Sequence, residues 1–392
     1  MNKKVCFIST TSITMKCFIV PIAHELAKAG LNVTLVCSDD NSMNEICSKN
    51  GLRFHSVKMG RGIDLTGIRA IREIKRFLQT EHFDLVQYCT PNAACYTSIA
   101  AKTARVPIRL YCQWGIRYVG LSGLSRTIFK QIEKLVCRLS THIRSVSWKN
   151  LEFAVSEGLY RKEKAQVVGN GGTIGVDMSL FDITRKTDYC SVVRNIYGIS
   201  NEAFVYGFCG RLSRDKGSNE LIAAFKKMYE YDNRVRLLIV GDIESNTNID
   251  ELLLQWAKQS DCVVFTGKIP QHEVHKYYAP MNVLVHPTYR EGFGMVIQEA
   301  GAYGIPCITT NIPGASEVME DKVSCLLVND RDVETLFSAM KCLFIDRELT
   351  EKLGEAAYQR TKELYNRSIM LNYQKDDYLK LLEDGNETSI CT

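Results

Sequence analysis

Two consecutive doubly wound α/β units, each a parallel sheet covered by helices, are what this 392-residue chain predicts. Three observations lead there. Short apolar runs alternate with amphipathic stretches of ten or so residues, the pattern of βαβ units. The runs are apolar almost throughout, as strands buried on both faces must be. The alternation restarts after about residue 200, and 392 residues are too many for one ordinary core.

The strands expected in the first half are KVCFIST (4–10), NVTLVCS (32–38), FDLVQYC (83–89), IRLYCQ (108–113) and THIRSVS (141–147). Amphipathic segments such as Val20–Ala29 and Ile68–Leu78 lie between them. The second half offers FVYGFCG (204–210), RLLIVGD (236–242), CVVFTG (262–267), VLVHP (283–287), PCITT (306–310) and SCLLVN (324–329). A joint is expected within Gly171–Lys186, which gives domains 1–180 and 181–365 and a closing helical segment with its tail over 366–392. Ligands of such units gather at the C-terminal ends of the strands.

Composition narrows the class. Hydrophobic residues at 45% and charged residues at 24% are those of a soluble globular protein, and no apolar run nears the 18 or so residues of a membrane span. The opening MNKKVCFIST lacks a signal-peptide cleavage pattern, so a cytoplasmic protein is expected. Fifteen cysteines are scattered without a C-x-x-C pair, which points to reduced, buried thiols rather than a metal knuckle or disulfide framework.

The net charge of +5 conceals a division: residues 1–185 hold 26 Lys and Arg against 14 Asp and Glu, or +12, and the remainder is −7. The first half should face something acidic. Within it Arg126, Lys130, Lys134 and Arg138 recur every four residues, beside apolar Leu124, Ile128, Ile132, Leu135, Val136 and Leu139. Two readings stand: an interfacial helix on anionic lipid, or a core-facing helix with a solvated basic back. Nucleic acid is not expected as a partner, because no aromatic residues interleave with the charges.

Several strand ends carry candidate chemistry. The first has no glycine where G-x-G-x-x-G would stand, which argues against a nicotinamide or flavin enzyme. The hydroxyls of Ser9–Ser12, Thr11 among them, either offer themselves to a ligand or cap the next helix. Gln113 and Trp114 follow another strand, where the tryptophan either stacks on a sugar or belongs to the core. At the head of the second half, Gly210-Arg211-x4-Lys216-Gly217 joins a planar fork to a mobile point charge, a pair suited to a diphosphate. Next, His286–Glu299 runs from a strand through Glu291-Gly292-Phe293-Gly294 into a helix starting near Met295, a phosphate cradle flanked by two carboxylates. A ligand with both phosphates and hydroxyls, such as a nucleotide sugar, would suit it. No metal site is expected: Asp332 of Asp330-Arg331-Asp332 reads as a helix cap, and His272 and His275 lack acidic or cysteine partners.

The string from Glu291 to Glu299 with GFG inside it, together with the Gly210–Gly217 loop, resembles the signature of retaining, nucleotide-sugar-dependent glycosyltransferases of family 4, among them bacterial capsule and O-antigen enzymes. That resemblance implies the GT-B fold, two Rossmann-like domains facing a central cleft, with the last helix crossing back to the first domain. It implies a catalytic set of Arg211, Lys216 and Glu291. Donor contacts fall to Gly210, Arg211, Lys216, Lys268, Ile269, Glu291, Gly292, Phe293, Gly294, Met295 and Glu299, with Glu299 on the ribose hydroxyls and Lys268 and Ile269 near the base. Thr11, Gln113 and Trp114 fall on the acceptor or sugar side; the histidine that such enzymes often carry near Gln113 is missing. No metal or other cofactor is implied. The partners are a nucleotide-sugar donor, UDP-linked by preference, and a saccharide acceptor such as a polyprenyl-diphosphate-linked one, at the inner face of an anionic membrane. A sugar-nucleotide epimerase and a non-catalytic nucleotide-sugar-binding subunit are the alternatives.

Overall fold

The computed structural model describes residues 3–60, 65–244 and 248–390. The chain forms two compact units, Met1–Ile174 with Ser368–Thr392, and Gly175–Arg367. The division after Ile174 comes six residues before the expected one, where Gly171, Gly172 and Gly175 adopt positive φ and turn the chain out of the first sheet.

The first unit holds seven parallel strands, β1 (Lys4–Thr11), β2 (Asn32–Ser38), β3 (Arg53–Ser56), β4 (Leu85–Tyr88), β5 (Ile108–Gln113), β6 (His142–Ser145) and β7 (Ala165–Val167), ordered 3-2-1-4-5-6-7. Its helices are α1 (Ser12–Thr14), which leads through a π-helical turn at Met15–Ile19 into α2 (Val20–Lys28), then α3 (Met43–Lys49), α4 (Leu65–Glu81), α5 (Pro91–Thr103), α6 (Gly123–Leu139) and α7 (Trp148–Ser156). Alternate residues of β1 feed opposite cores: Val5 and Phe7 join Leu26, Leu35 and Leu110 on one face, Cys6 and Ile8 join Ile74, Tyr88 and Tyr111 on the other. That two-sided burial makes Val5–Ile8 a continuous apolar run. β3 and β7 are strands that the sequence reading missed. Both are edges, four and three residues long, and RFHS keeps polar side chains toward water.

The second unit has six parallel strands, β8 (Phe204–Cys209), β9 (Val235–Val240), β10 (Val263–Phe265), β11 (Val283–His286), β12 (Cys307–Thr310) and β13 (Cys325–Val328), ordered 10-9-8-11-12-13. Around them lie α8 (Lys186–Tyr197), α9 (Ser218–Tyr231), α10 (Glu251–Gln259), α11 (Val274–Tyr278), α12 (Met295–Ala302), α13 (Ala315–Val318), α14 (Val333–Ile345) and α15 (Arg347–Leu364). The strand order reverses between β8 and β11, so the crevice at their C-terminal ends is this unit's natural ligand position. The cysteines among the described residues are all free, and most are buried; burial pushes the Cys37 thiol up to about 12.

The last helix, α16 (Arg367–Ile390), belongs from Ser368 onward to the first unit. Tyr378 meets Phe7 edge-on and hydrogen-bonds Gln87, and Leu381 and Leu382 join the β1 core. Asp377 takes a two-pronged ion pair from Arg144, both bonds 2.8 Å, and accepts another from Gln166 Nε2. No helix among the described residues is long and apolar enough to cross a membrane. The Arg144–Asp377 side chains are only 10% and 8% exposed, so removing one strands the other charge. Asp377→Ala should therefore lower stability in chemical denaturation by about 3 kcal/mol, and the double replacement Arg144→Met/Asp377→Leu by much less.

Candidate nucleotide site

The crevice between β8 and β11 is closed by a backbone-to-backbone approach. Gly217, at φ +71, sits where a Cβ would lie 1.9 Å from the Pro287 carbonyl oxygen. Nothing soft stands there to give way, so only glycine fits. The 213–217 loop is further stitched to the end of β11: Tyr289 N–H donates to Asp215 O at 2.9 Å, Thr288 Oγ1 to the same oxygen at 3.2 Å, and Arg290 pairs with the Asp215 carboxylate. Lys216 is thereby carried to the Glu291 turn.

Lys216 Nζ lies 2.7 Å from Glu291 Oε2, and His286 Nε2 lies 3.0 Å from the same oxygen. Gly292 N–H donates to Oε1 at 3.0 Å. Burial alone would raise the Glu291 carboxyl, but Lys216 and His286 overcome it and hold it far below the usual carboxylate range. Burial pushes His286 below its ordinary value, so the ring is neutral and Nε2 carries the proton facing Glu291. Gly294, in the left-handed region, then opens α12, whose start directs backbone donors into the crevice. Gly314 closes the turn from behind: a Cβ there would lie 2.4 Å from Gly292 O.

The second carboxylate, Glu299, is half-buried on α12. Its Oε2 accepts from the Tyr278 hydroxyl at 2.6 Å. Burial raises its carboxyl to about 7, with Tyr278 and Arg367 pulling in the opposite direction. Arg211 follows β8, exposed, and pairs with Glu244. Lys268 is exposed and Ile269 half-buried beyond β10, on the strand-end side where Gly241 bridges Gly267. Phe293 points inward against Tyr365, so only its backbone remains for a ligand.

The first unit places its candidates differently. Thr11 caps α1, accepting from Thr14 N–H, and Ser12 donates to Asp40, so these hydroxyls serve the local fold. Gln113 corrects an expectation: it is 1% exposed, its Nε2 donates to Glu133 at 2.6 Å and its Oε1 accepts from Tyr160 at 2.9 Å. An amide engaged at both ends inside the core is not available to an acceptor. Trp114 is half-buried against Phe18 at the rim of the β1 core. Asp332 caps α14, and His275 is buried against Phe181 and Tyr189. Among the described residues no three His, Cys, Asp or Glu side chains cluster as metal ligands.

The sequence reading missed His286, Tyr278 and Gly314. His286 stood inside the motif, and its place at the end of an apolar strand was the available signal. Tyr278 gave none.

Comparison with known proteins follows the same division. Residues 4–147 match the family model "Glycosyl transferase 4-like" and residues 192–360 match "Glycosyl transferases group 1". A relative from Staphylococcus aureus, described as the capsular polysaccharide biosynthesis glycosyltransferase CapM, is 27% identical over 361 residues, 92% of this chain and 93% of its own. An Escherichia coli relative described as UDP-Gal:alpha-D-GlcNAc-diphosphoundecaprenol alpha-1,3-galactosyltransferase is 22% identical, covering 81% of each chain. Among solved structures, Anabaena HepE in complex with UDP and glucose superposes with a TM-score of 0.78 at 18% identity, over 97% of this chain and all of the other.

Gly217→Ala, which drives a methyl group into Pro287 O, should destabilise the second unit by more than about 1 kcal/mol in thermal or denaturant unfolding. It should also weaken nucleoside diphosphate binding measured by calorimetry.

Proposed function

We propose, since the chain belongs to the family-4 type of GT-B glycosyltransferases, that it moves a sugar from a nucleoside diphosphate, UDP by preference, to a saccharide hydroxyl with retention of configuration, in surface polysaccharide assembly. The observation that carries this reading is the meeting of Lys216, Glu291 and the Gly292–Gly294 turn at the end of β11.

Donor binding would exchange partners. Lys216 turns from Glu291 to the diphosphate, and Glu291 Oε2 turns to the sugar hydroxyls while His286 keeps it in place. Arg211 leaves Glu244 at little cost, because exposed ion pairs contribute under about 1 kcal/mol. With both cations on the leaving diphosphate and the α12 backbone donors beside them, the negative charge that develops as the glycosidic bond breaks is neutralised without a metal. The departing phosphate oxygen then takes the acceptor proton on the same face of the sugar. Glu299 accepts from the ribose hydroxyls.

The acceptor reading is a lipid-linked saccharide reached from a membrane surface, and α6 motivates it. Arg126 and Lys130 lie over Tyr118, Lys130 also pairing with Glu157 at 2.8 Å, so half of the basic stripe is spent on the fold. Leu124 and Ile128, in contrast, are 76% and 44% exposed. In the helix's second half Lys134 and Arg138 open onto a groove shared with Leu135, Tyr160, Arg161 and Lys164. Exposed apolar residues at one end and cations at the other match the boundary of an anionic bilayer, which supports a peripheral position at the cytoplasmic face.

Incubation with UDP-, GDP- and dTDP-sugars tests the activity. Transfer to a saccharide is expected; acceptor-free conversion would favour the epimerase reading, and absence of turnover the binding-subunit reading. Lys216→Ala should lower turnover by about 10²–10³-fold, and normal turnover in that folded variant would refute the diphosphate role. In vesicle co-sedimentation at low salt, Lys134→Ala/Arg138→Ala should weaken binding to phosphatidylglycerol vesicles about thirtyfold, at about 1 kcal/mol per charge. No wild-type binding would remove the membrane contact.

A further inference from the structure

The geometry points to Tyr278 as a positioning residue that selects which oxygen Glu299 presents to a nucleotide's sugar hydroxyls. The inference rests on the reading of Glu299 as the ribose ligand and names the group that makes it one.

Tyr278 ends α11, fully buried. Its ring is fixed by Phe181, 5.9 Å between centroids, inside a cluster that also holds Tyr303. The hydroxyl is therefore fixed before any ligand arrives, and it points at Glu299 Oε2 from 2.6 Å, a short charge-assisted bond. Oε1 has no hydrogen-bond partner among the described residues, and the side chain keeps part of its surface open. One oxygen is thus anchored and the other offered, which fixes the carboxylate plane.

The groups facing Glu299 are Tyr278 from α11, the Cys209 thiol from β8, and Arg367 beyond α15. Burial favours the protonated acid. The phenol and the Arg367 charge favour the carboxylate, and the balance lies near neutrality. Only the carboxylate accepts from two ribose hydroxyls, so nucleotide affinity should fall as pH drops below about 7. Without the phenol donor the acid form gains, and that fall should begin at a higher pH.

Tyr278→Phe keeps the ring and deletes one oxygen. Calorimetry with UDP and 2′-deoxy-UDP, from pH 5.5 to 9, compares wild type, Tyr278→Phe, Glu299→Gln and the double variant, with GDP and 2′-deoxy-GDP replacing them if the wild type prefers guanine. We expect Tyr278→Phe to weaken UDP binding at pH 8 by about fivefold to tenfold, the scale of one ordinary hydrogen bond, because the phenol acts through Glu299 and does not touch the ligand. It should narrow the preference for UDP over 2′-deoxy-UDP and raise the midpoint of the acid-side loss. In the Glu299→Gln background it should change nothing further, because its action passes through that carboxylate. Wild-type affinity, discrimination and midpoint in Tyr278→Phe would overturn the inference. So would a penalty that persists undiminished in the double variant, the mark of a merely structural tyrosine. Normal UDP binding in Glu299→Gln would instead sink the ribose reading itself. If Tyr278→Phe does not fold, Phe181→Leu, which loosens the ring without touching the carboxylate, takes its place: weaker UDP binding with narrowed 2′-deoxy discrimination supports the inference, and wild-type values overturn it.

Discussion

Two loops seventy residues apart share one point because Gly217 has no side chain. With the Gly217 backbone against the Pro287 carbonyl, Asp215 O receives donors from Tyr289 and Thr288, and Lys216 cannot avoid Glu291. A bulkier residue would part the end of β8 from the end of β11 and leave a buried carboxylate without its cation. The charge pair is a consequence of the backbone contact, not its cause. An isolated Lys–Glu pair of this kind adds little net stability, whereas a Cβ at 1.9 Å from a carbonyl oxygen is not tolerated.

The two acids of the second unit are tuned in opposite directions by what surrounds them. Glu291 has a cation and an imidazole N–H on one oxygen and a peptide N–H on the other, and stays ionised. Glu299 has one phenol and a more distant guanidinium, and burial brings it near neutrality. Eight residues and a helix start separate them, yet their surroundings drive their proton affinities apart.

Much of this was legible in the residues. Strands buried on both faces announce themselves as continuous apolar runs, which is why β1, β8 and β9 were readable and the edge strands β3 and β7, short and partly polar, were not. The meeting of Lys216 with the Glu291 turn was legible in outline, since both loops follow strands of one doubly wound unit whose ligands gather at the strand ends, but the Gly217–Pro287 approach that closes it was not. What local pattern cannot carry is the partner supplied by another element. Gln113 looked like a strand-end ligand, but Glu133 from α6 and Tyr160 claim its amide. Arg211 read as half of a clamp, and Glu244 pairs with it. Tyr278 is one more aromatic residue in HKYYAP until α11 is placed against α12.

The return of α16 to the first unit has a consequence for the order of events at the ribosome. Residues from Ser368 onward emerge after all of Gly175–Arg367, so the second unit has its full complement of strands while the first still lacks Tyr378, Leu381 and Leu382. Until those arrive, the floor beneath Phe7 is open and Arg144 waits without its counter-ion. The nascent first unit then has that apolar face covered only in part, by α2 and α3. Vectorial synthesis makes the Asp377–Leu382 stretch a late-closing latch on the first unit.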